Sequence, residues 1–343
     1  MVSFDFATNR NPDDYDNPTD FGQKFSRNGL TDLRFGRAQV TGAKLDRYVL
    51  EVAPEKLEVP LEQAQRGDLS GQVLGSTKLF YDMRAEMIEG KRDALLSIHG
   101  FDYTFREALQ RTAVLARFYA ARPMTIILFT WPSDGSKLPL KAYATDRDDA
   151  RASGAALGRG MQKLANFLRG TNPQDYCGQS IHMLAHSMGN YVLRHAVQAI
   201  RASAGSSIRR LFDQVVLMAP DDDDDAFELE HKLAPLPDIA RRVTLYCNPG
   251  DRALVISDVT KGNPDRLGAS GPRNARALPD KVSVVNAEPV VEPRKDPTGH
   301  QYYRLNTKVR RDVLQVLAGV ESPDVKGRGF VAETKTYRLL ARR

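Results

Sequence analysis

The chain has 343 residues, 41% of them hydrophobic, which is enough for a sizeable core in one large α/β domain or two ordinary ones. Its 49 basic and 43 acidic residues leave a formal charge of +6 but are interspersed; with no Lys/Arg run interleaved with aromatics and no DNA- or RNA-binding motif, no nucleic-acid partner is expected. No segment approaches the ~18 uninterrupted apolar residues of a membrane helix, and the opening MVSFDFATNRNPDDYDNP has neither the basic start nor the apolar stretch of a signal peptide, so a cytoplasmic location without a membrane span is expected.

Residues 1–27 are polar, rich in Asn, Asp and Pro, and without periodicity, so the spacing predicts an irregular lead-in. Leu30 to Val40, Tyr48 to Val52 and Leu57 to Leu61 have the character of antiparallel edge strands. A helix over Asp82 to Gly90 leads to Asp93 to His99, a nearly continuous apolar run of the kind buried on both faces of a sheet. A helix follows over Phe105 to Ala121, then a buried strand over Thr125 to Thr130 and the loop WPSDG. Thr145 is expected to N-cap the next helix, with Asp148 and Asp149 in its first turn. Beyond the strand and helix of Ile181 to Ile200 come strands at Val215 to Met218, Val243 to Tyr246 and Lys281 to Val285, and a closing helix at Lys308 to Ala318.

Strands alternating with helices over this length predict a doubly wound, mostly parallel central sheet flanked by helices, with antiparallel N-terminal edge strands. No linker divides it, so one domain over 28–320 is expected, followed by a charged tail at 321–343 that packs on it or extends it through a strand near Thr334 to Leu340. Cys177 and Cys247 form neither a disulfide framework nor a zinc pattern. No metal or cofactor is called for, and no oligomeric state is implied.

Ser180 to Val192, SIHMLAHSMGNYV, carries the chemistry. An apolar strand, a turn of small residues and a helix follow one another, with Ser187 in the turn. A serine hydroxyl becomes a nucleophile when it projects from a sharp strand-to-helix elbow and a base takes its proton. Small residues two before and two after let the turn close; here they are Ala185 and Gly189, so the first glycine of G-x-S-x-G is an alanine. The competing reading is a serine that merely N-caps the following helix.

Ligands of such sheets sit at the carboxyl ends of the strands, which is where partners are sought. Of the six histidines, His182 lies in the elbow strand, His186 in the turn, His195 along the helix and His231 on an expected surface helix, while His99 precedes the nucleophile. His300, in a loop after the last strand, is left as the base, and it completes the order nucleophile, acid, histidine. Asp251, just after the strand at Val243, is the leading acid. The rival is the run Asp221 to Asp225, whose plainer reading is a solvated loop, because five adjacent carboxylates repel one another. His99-Gly100-Phe101 follows the first central strand, so the amides of Phe101 and Met188 are the expected oxyanion donors. His99, Gly100, Trp131 and Tyr302 are expected around the substrate, with Tyr303 and the Phe101 and Met188 side chains as further candidates for an acyl pocket.

Residues 94–303 also resemble a family of bacterial α/β-hydrolases, esterase/lipase-like and of unknown function. The matching pieces are SIHGF at 97–101, FTWPSDG at 129–135, Tyr143 with Asp146, Ala150 and Ser153, and AHSMGN at 185–190. They continue with APD at 219–221, Phe227, DRAL at 251–254 with Ser257, RLG at 266–268 and GHxYY at 299–303; FATNR and the FGR of 35–37 match its amino-terminal region. The resemblance implies the α/β-hydrolase fold with Ser187 as nucleophile, His300 as base and Asp251 as acid, and it implies no substrate. The expectation is therefore a serine hydrolase acting on a small or medium-sized carboxylic ester. A thioesterase or amidase with the same triad, and a catalytically idle binding scaffold, are the alternatives.

Overall fold

The computed structural model describes residues 1–53, 75–133, 139–170, 177–204, 210–254 and 265–341. The expected strand at Leu57 to Leu61, Asp134 in the WPSDG loop and Ser257 lie outside them. At the centre are β6 (Ala94–Ile98), β7 (Thr125–Thr130), β8 (Ile181–His186), β9 (Phe212–Met218), β10 (Ala240–Cys247) and β11 (Val282–Asn286). Their apolar runs are continuous because both faces are covered. Met183 and Ala185 of β8 enter one core while Leu184 between them enters another, and Val215 and Leu217 of β9 part from Val216 and Met218 in the same way.

Helices α1 (Gly75–Gly90), α3 (Pro139–Gly170) and α4 (Gly189–Ala204) cover the first face. The other is covered by α2 (Phe105–Phe118) and α7 (Thr307–Leu317), with short helices α5 (Leu267–Ser270) and α6 (Tyr302–Leu305) in the connections. Helix α2 starts on a capping box in which Thr104 and Glu107 satisfy each other's amides. Helix α3 begins earlier than expected: Thr145 lies inside it, and Pro139 takes the first position, where a missing N–H costs nothing.

The largest correction concerns residues 1–27. Of these, 13–20 are irregular, whereas β1 (Val2–Thr8) runs parallel to β7 inside the sheet, and β2 (Arg10–Pro12) pairs with β3 (Phe21–Phe25). Val2, Phe4 and Phe6 alternate with Ser3 and Asp5 in the two-residue period of a strand, and Asp5 is nonetheless buried because Arg37 of β4 (Arg34–Thr41) binds it at 2.8 Å. Strand β4 pairs antiparallel with β1 and with β5 (Arg47–Ala53) at the edge. The tail extends the opposite side, where β13 (Thr336–Leu339) joins β11 in parallel and β12 (Arg328–Val331) closes that edge. Buried Arg328 anchors it on Asp312, which also accepts from the Tyr246 hydroxyl. The resulting order is β12-β13-β11-β10-β9-β8-β6-β7-β1-β4-β5, with antiparallel pairing at both edges.

Helices α3 and α4 meet at Gly154. A Cβ there would lie 2.3 Å from His195 Cβ and 2.8 Å from its carbonyl carbon, so the helices approach as closely as they do because a side chain is missing. Alanine favours a helix over glycine by up to about 1 kcal/mol, yet Gly154→Ala is expected to lower stability by about 1–3 kcal/mol through overpacking. Urea unfolding measures the balance, and a gain in stability would show that the helices part at no cost.

Candidate active site

Strand β8 ends at His186 and α4 starts at Gly189, leaving Ser187 in the corner with φ of 54°. A side chain in this left-handed region costs about 1–3 kcal/mol and persists where its surroundings over-determine it. Here the Ser187 amide donates to Met218 O at 2.9 Å. Its carbonyl accepts from the Asn190 amide and side chain, both at 3.0 Å, and from Asp221 N at 3.2 Å. Gly189 is compulsory: a Cβ would sit 2.5 Å from His99 O and 2.8 Å from Ile98 O. Ala185 is not, since its methyl belongs to the core beneath the sheet.

His300 and Asp251 arrive from two loops that are tied together. Asn248 Nδ2 donates to Gly299 O at 2.7 Å and Arg252 N to Thr298 O at 2.8 Å. Asp251 is fully buried; one oxygen accepts from Ala253 N and Leu254 N at 3.0 and 3.2 Å, and the other meets His300 Nδ1 at 2.6 Å. Burial alone would push the His300 pKa down. The Asp251 charge and hydrogen bond, with Asp221 and Asp296 behind them, outweigh it and leave the imidazole above its ordinary value.

Among the described residues no hydrogen bond joins Ser187 Oγ to the His300 ring, a contact that in enzymes often tightens only around substrate. The elbow and the His300 loop are instead joined by His186. Its Nε2 donates to His300 O at 3.1 Å, and its ring stacks on Tyr303 with centroids 4.2 Å apart. Burial, then the neighbouring His300 charge, hold His186 well below the ordinary histidine range and therefore neutral.

Gly100 lies against Ser187: a Cβ there would be 2.9 Å from Ser187 Cβ and 3.2 Å from His186 Nδ1. Neither the Phe101 nor the Met188 amide has an acceptor among the described residues. The structure turns the other expected substrate neighbours inward. His99 is buried and stacks on fully buried Trp131 at 5.3 Å. Tyr302 is in the core, its hydroxyl donating to Tyr246 O at 3.0 Å, and Met188 and Tyr303 are buried. Of these side chains only Phe101 is half-exposed, edge-on to Tyr143 at 5.7 Å.

Residues 80–318 match the family described as "Alpha/beta hydrolase of unknown function (DUF900)". The chain belongs to this hydrolase family. Among solved structures, the hydrolase is similar to the monoclinic form of an esterase from Pyrobaculum calidifontis, with 11% identity, a TM-score of 0.35, and 89% of this chain and 85% of that one covered. It is also similar to phospholipase PlaB from Legionella pneumophila in complex with thio-NAD, with 13% identity, a TM-score of 0.24, and 61% and 41% covered. No curated protein matches the sequence.

The aspartate run of this DUF900 hydrolase corrects a second expectation, because it is not a solvated loop. Asp221 and Asp222 are almost wholly buried. Arg194 meets Asp222 at 2.7 Å, Arg266 and Lys232 both meet Asp223 at 2.9 Å, and Arg273 meets Asp224 at 2.9 Å. Asp221 accepts from the Tyr143 hydroxyl at 2.8 Å. The carboxylates repel one another, as expected, but cations from α4 and three loops outweigh the repulsion. Burial raises the Asp222 pKa, whereas Asp223 is lowered to about 2 because Lys232 and Arg266 overcome its desolvation. The run packs beside Ser187, whose carbonyl accepts from the Asp221 amide, and the Asp221 charge adds to the field that raises the His300 pKa. His231 is exposed in a turn rather than on a helix. His182 faces Asp93 at the amino ends of the strands, 3.3 Å away.

Two contributors were missed in the sequence. Asn190, in AHSMGN, secures the elbow through three carbonyls. Asp146 accepts from Ser133 Oγ at 2.6 Å and Asp102 N at 2.9 Å, holding the two loops beside Gly100 together. Both stand among the family-like pieces, which was the available signal.

Proposed function

We propose that this hydrolase cleaves a carboxylic ester of small or medium size through a Ser187-His300-Asp251 triad and an acyl-enzyme, without a cofactor. The 2.6 Å contact of His300 Nδ1 with Asp251, on a loop held against the elbow, is the observation that supports this most directly. A carboxylate accepts only, so Nδ1 carries the proton and Nε2 is left as the base. His300 takes the Ser187 proton as Oγ attacks the carbonyl and returns it to the leaving alcohol. Asp251 stabilises the imidazolium, and water then repeats the sequence to release the acid. The Phe101 and Met188 amides are assigned to the developing oxyanion, an interaction of about 2.7–4 kcal/mol per donor.

A p-nitrophenyl ester series of increasing chain length tests this reading, and its optimum sizes the acyl pocket. The acid limb of kcat/KM should lie above pH 6.5, because the base must be neutral and its pKa is raised. In Asp251→Asn the charge is gone and burial remains, so the limb should move to lower pH. A limb that stays in place would remove Asp251 from the acid's role. The missing Ser187–His300 hydrogen bond favours one rival, an idle scaffold that binds a small molecule; absence of fluorophosphonate labelling in the wild type would decide for it. Thioesters and amides fit the same groups and belong in the same assay.

A further inference from the structure

Arg10 is fully buried although no step above uses it. Its Nε donates to Thr130 Oγ1 at 3.1 Å, and its two remaining nitrogens donate to Gly22 O at 3.2 Å and Tyr103 O at 2.7 Å. A guanidinium only donates, so the Thr130 hydroxyl keeps its own hydrogen for His99 Nε2, 2.9 Å away. Trp131 N also donates to that nitrogen, at 3.3 Å. At the other side of the ring, Nδ1 lies 2.6 Å from Gly100 O, and a carbonyl only accepts. Both sides of the imidazole therefore require the same neutral tautomer, with the proton on Nδ1.

That proton holds the Gly100 carbonyl. In a trans peptide C=O and N–H point in opposite directions, so turning the carbonyl onto His99 turns the Phe101 N–H away from it, one residue beyond the Gly100 that packs on Ser187. We infer that Arg10, Thr130 and His99 are positioning residues that together aim the Phe101 amide at the oxyanion. The inference rests on the esterase reading above. It also gives β1 a role inside the sheet: running beside β7, with Thr8 opposite Thr130, it delivers Arg10 to the end of β7. Burial first, and the Arg10 charge second, hold His99 down to about 3, so its tautomer persists throughout the neutral range.

Thr130→Val removes the hydroxyl at almost constant volume, and Arg10→Met removes the donor behind it. Each should lower kcat about 10- to 100-fold with KM within about twofold, because the donor acts in the transition state. Binding of a trifluoromethyl ketone, whose adduct carries the oxyanion, should weaken by a similar factor, and the acid limb set by His300 should stay in place. His99→Asn keeps an N–H near Gly100 O and should retain more activity than His99→Leu. Nitrogen NMR of 15N-histidine protein reads the tautomer directly, without any substrate.

A His99 that carries its proton on Nε2, or titrates near pH 6.5, would overturn the relay whether or not esters are cleaved. Ser187-dependent hydrolysis left within twofold in Thr130→Val would overturn it as well. A wild type with the Nδ1–H tautomer but without Ser187-dependent hydrolysis of any acyl substrate would overturn the hydrolase reading and the oxyanion role with it.

Discussion

Ser187→Ala is expected to lower kcat on the best p-nitrophenyl ester by roughly a millionfold, and to abolish fluorophosphonate labelling, because the attacking oxygen is gone. Asp251→Asn should cost about 10⁴ in kcat, and the reason is visible locally. One Asp251 oxygen accepts from Ala253 N and Leu254 N. An asparagine must keep its own oxygen there, so its NH₂ faces His300 Nδ1, forces the ring proton onto Nε2 and blocks the base. Labelling that survives in Ser187→Ala would name a different nucleophile, and an Asp251→Asn variant within tenfold of wild type would return the acid's place to another group.

Arg194→Met is expected to destabilise the fold strongly. Arg194 Nη1 meets Asp222 Oδ1 at 2.7 Å, and the other oxygen of this buried carboxylate has no partner among the described residues. Removing one member of a buried pair costs about 3–5 kcal/mol, because an uncompensated charge remains. The folded-state pKa of Asp222 is already raised by burial and rises further without Arg194. A carboxylate whose pKa is higher folded than unfolded opposes folding when ionised, and is relieved as pH falls through the folded value. The deficit in urea unfolding should therefore be full at pH 7 and smaller at pH 5. Arg194→Met/Asp222→Leu should recover most of it. A loss under about 1 kcal/mol at pH 7 would mean that the carboxylate is solvated or satisfied elsewhere.

The failure over the aspartate run and the failure over residues 1–27 have one origin. Asp5 and Asp222 look like surface residues until Arg37 and Arg194, distant in the chain, are brought beside them. Charge in a sequence predicts exposure only while its partners are unknown. Tyr302 and Trp131 differ in the opposite sense: aromatics near the strand ends read as facing a ligand, and in the structure both side chains are fully buried. Periodicity cannot separate the two sides of a loop, because loop backbone has no fixed repeat.

Local patterns alone determined the central strands and the elbow, and they nominate Ser187, Asp251 and His300 as a group to be tested. Continuous apolar runs, the compulsory Gly189 and Gly100, and loops after strand ends are constraints that act within a few residues. Only the tertiary structure decided the place of β1, the burial of the aspartates, and the chain from Arg10 through Thr130 to the Gly100 carbonyl. Each of these depends on hydrogen bonds or ion pairs between residues far apart in sequence, and their energies exist only once the sheet has brought the partners within about 3 Å.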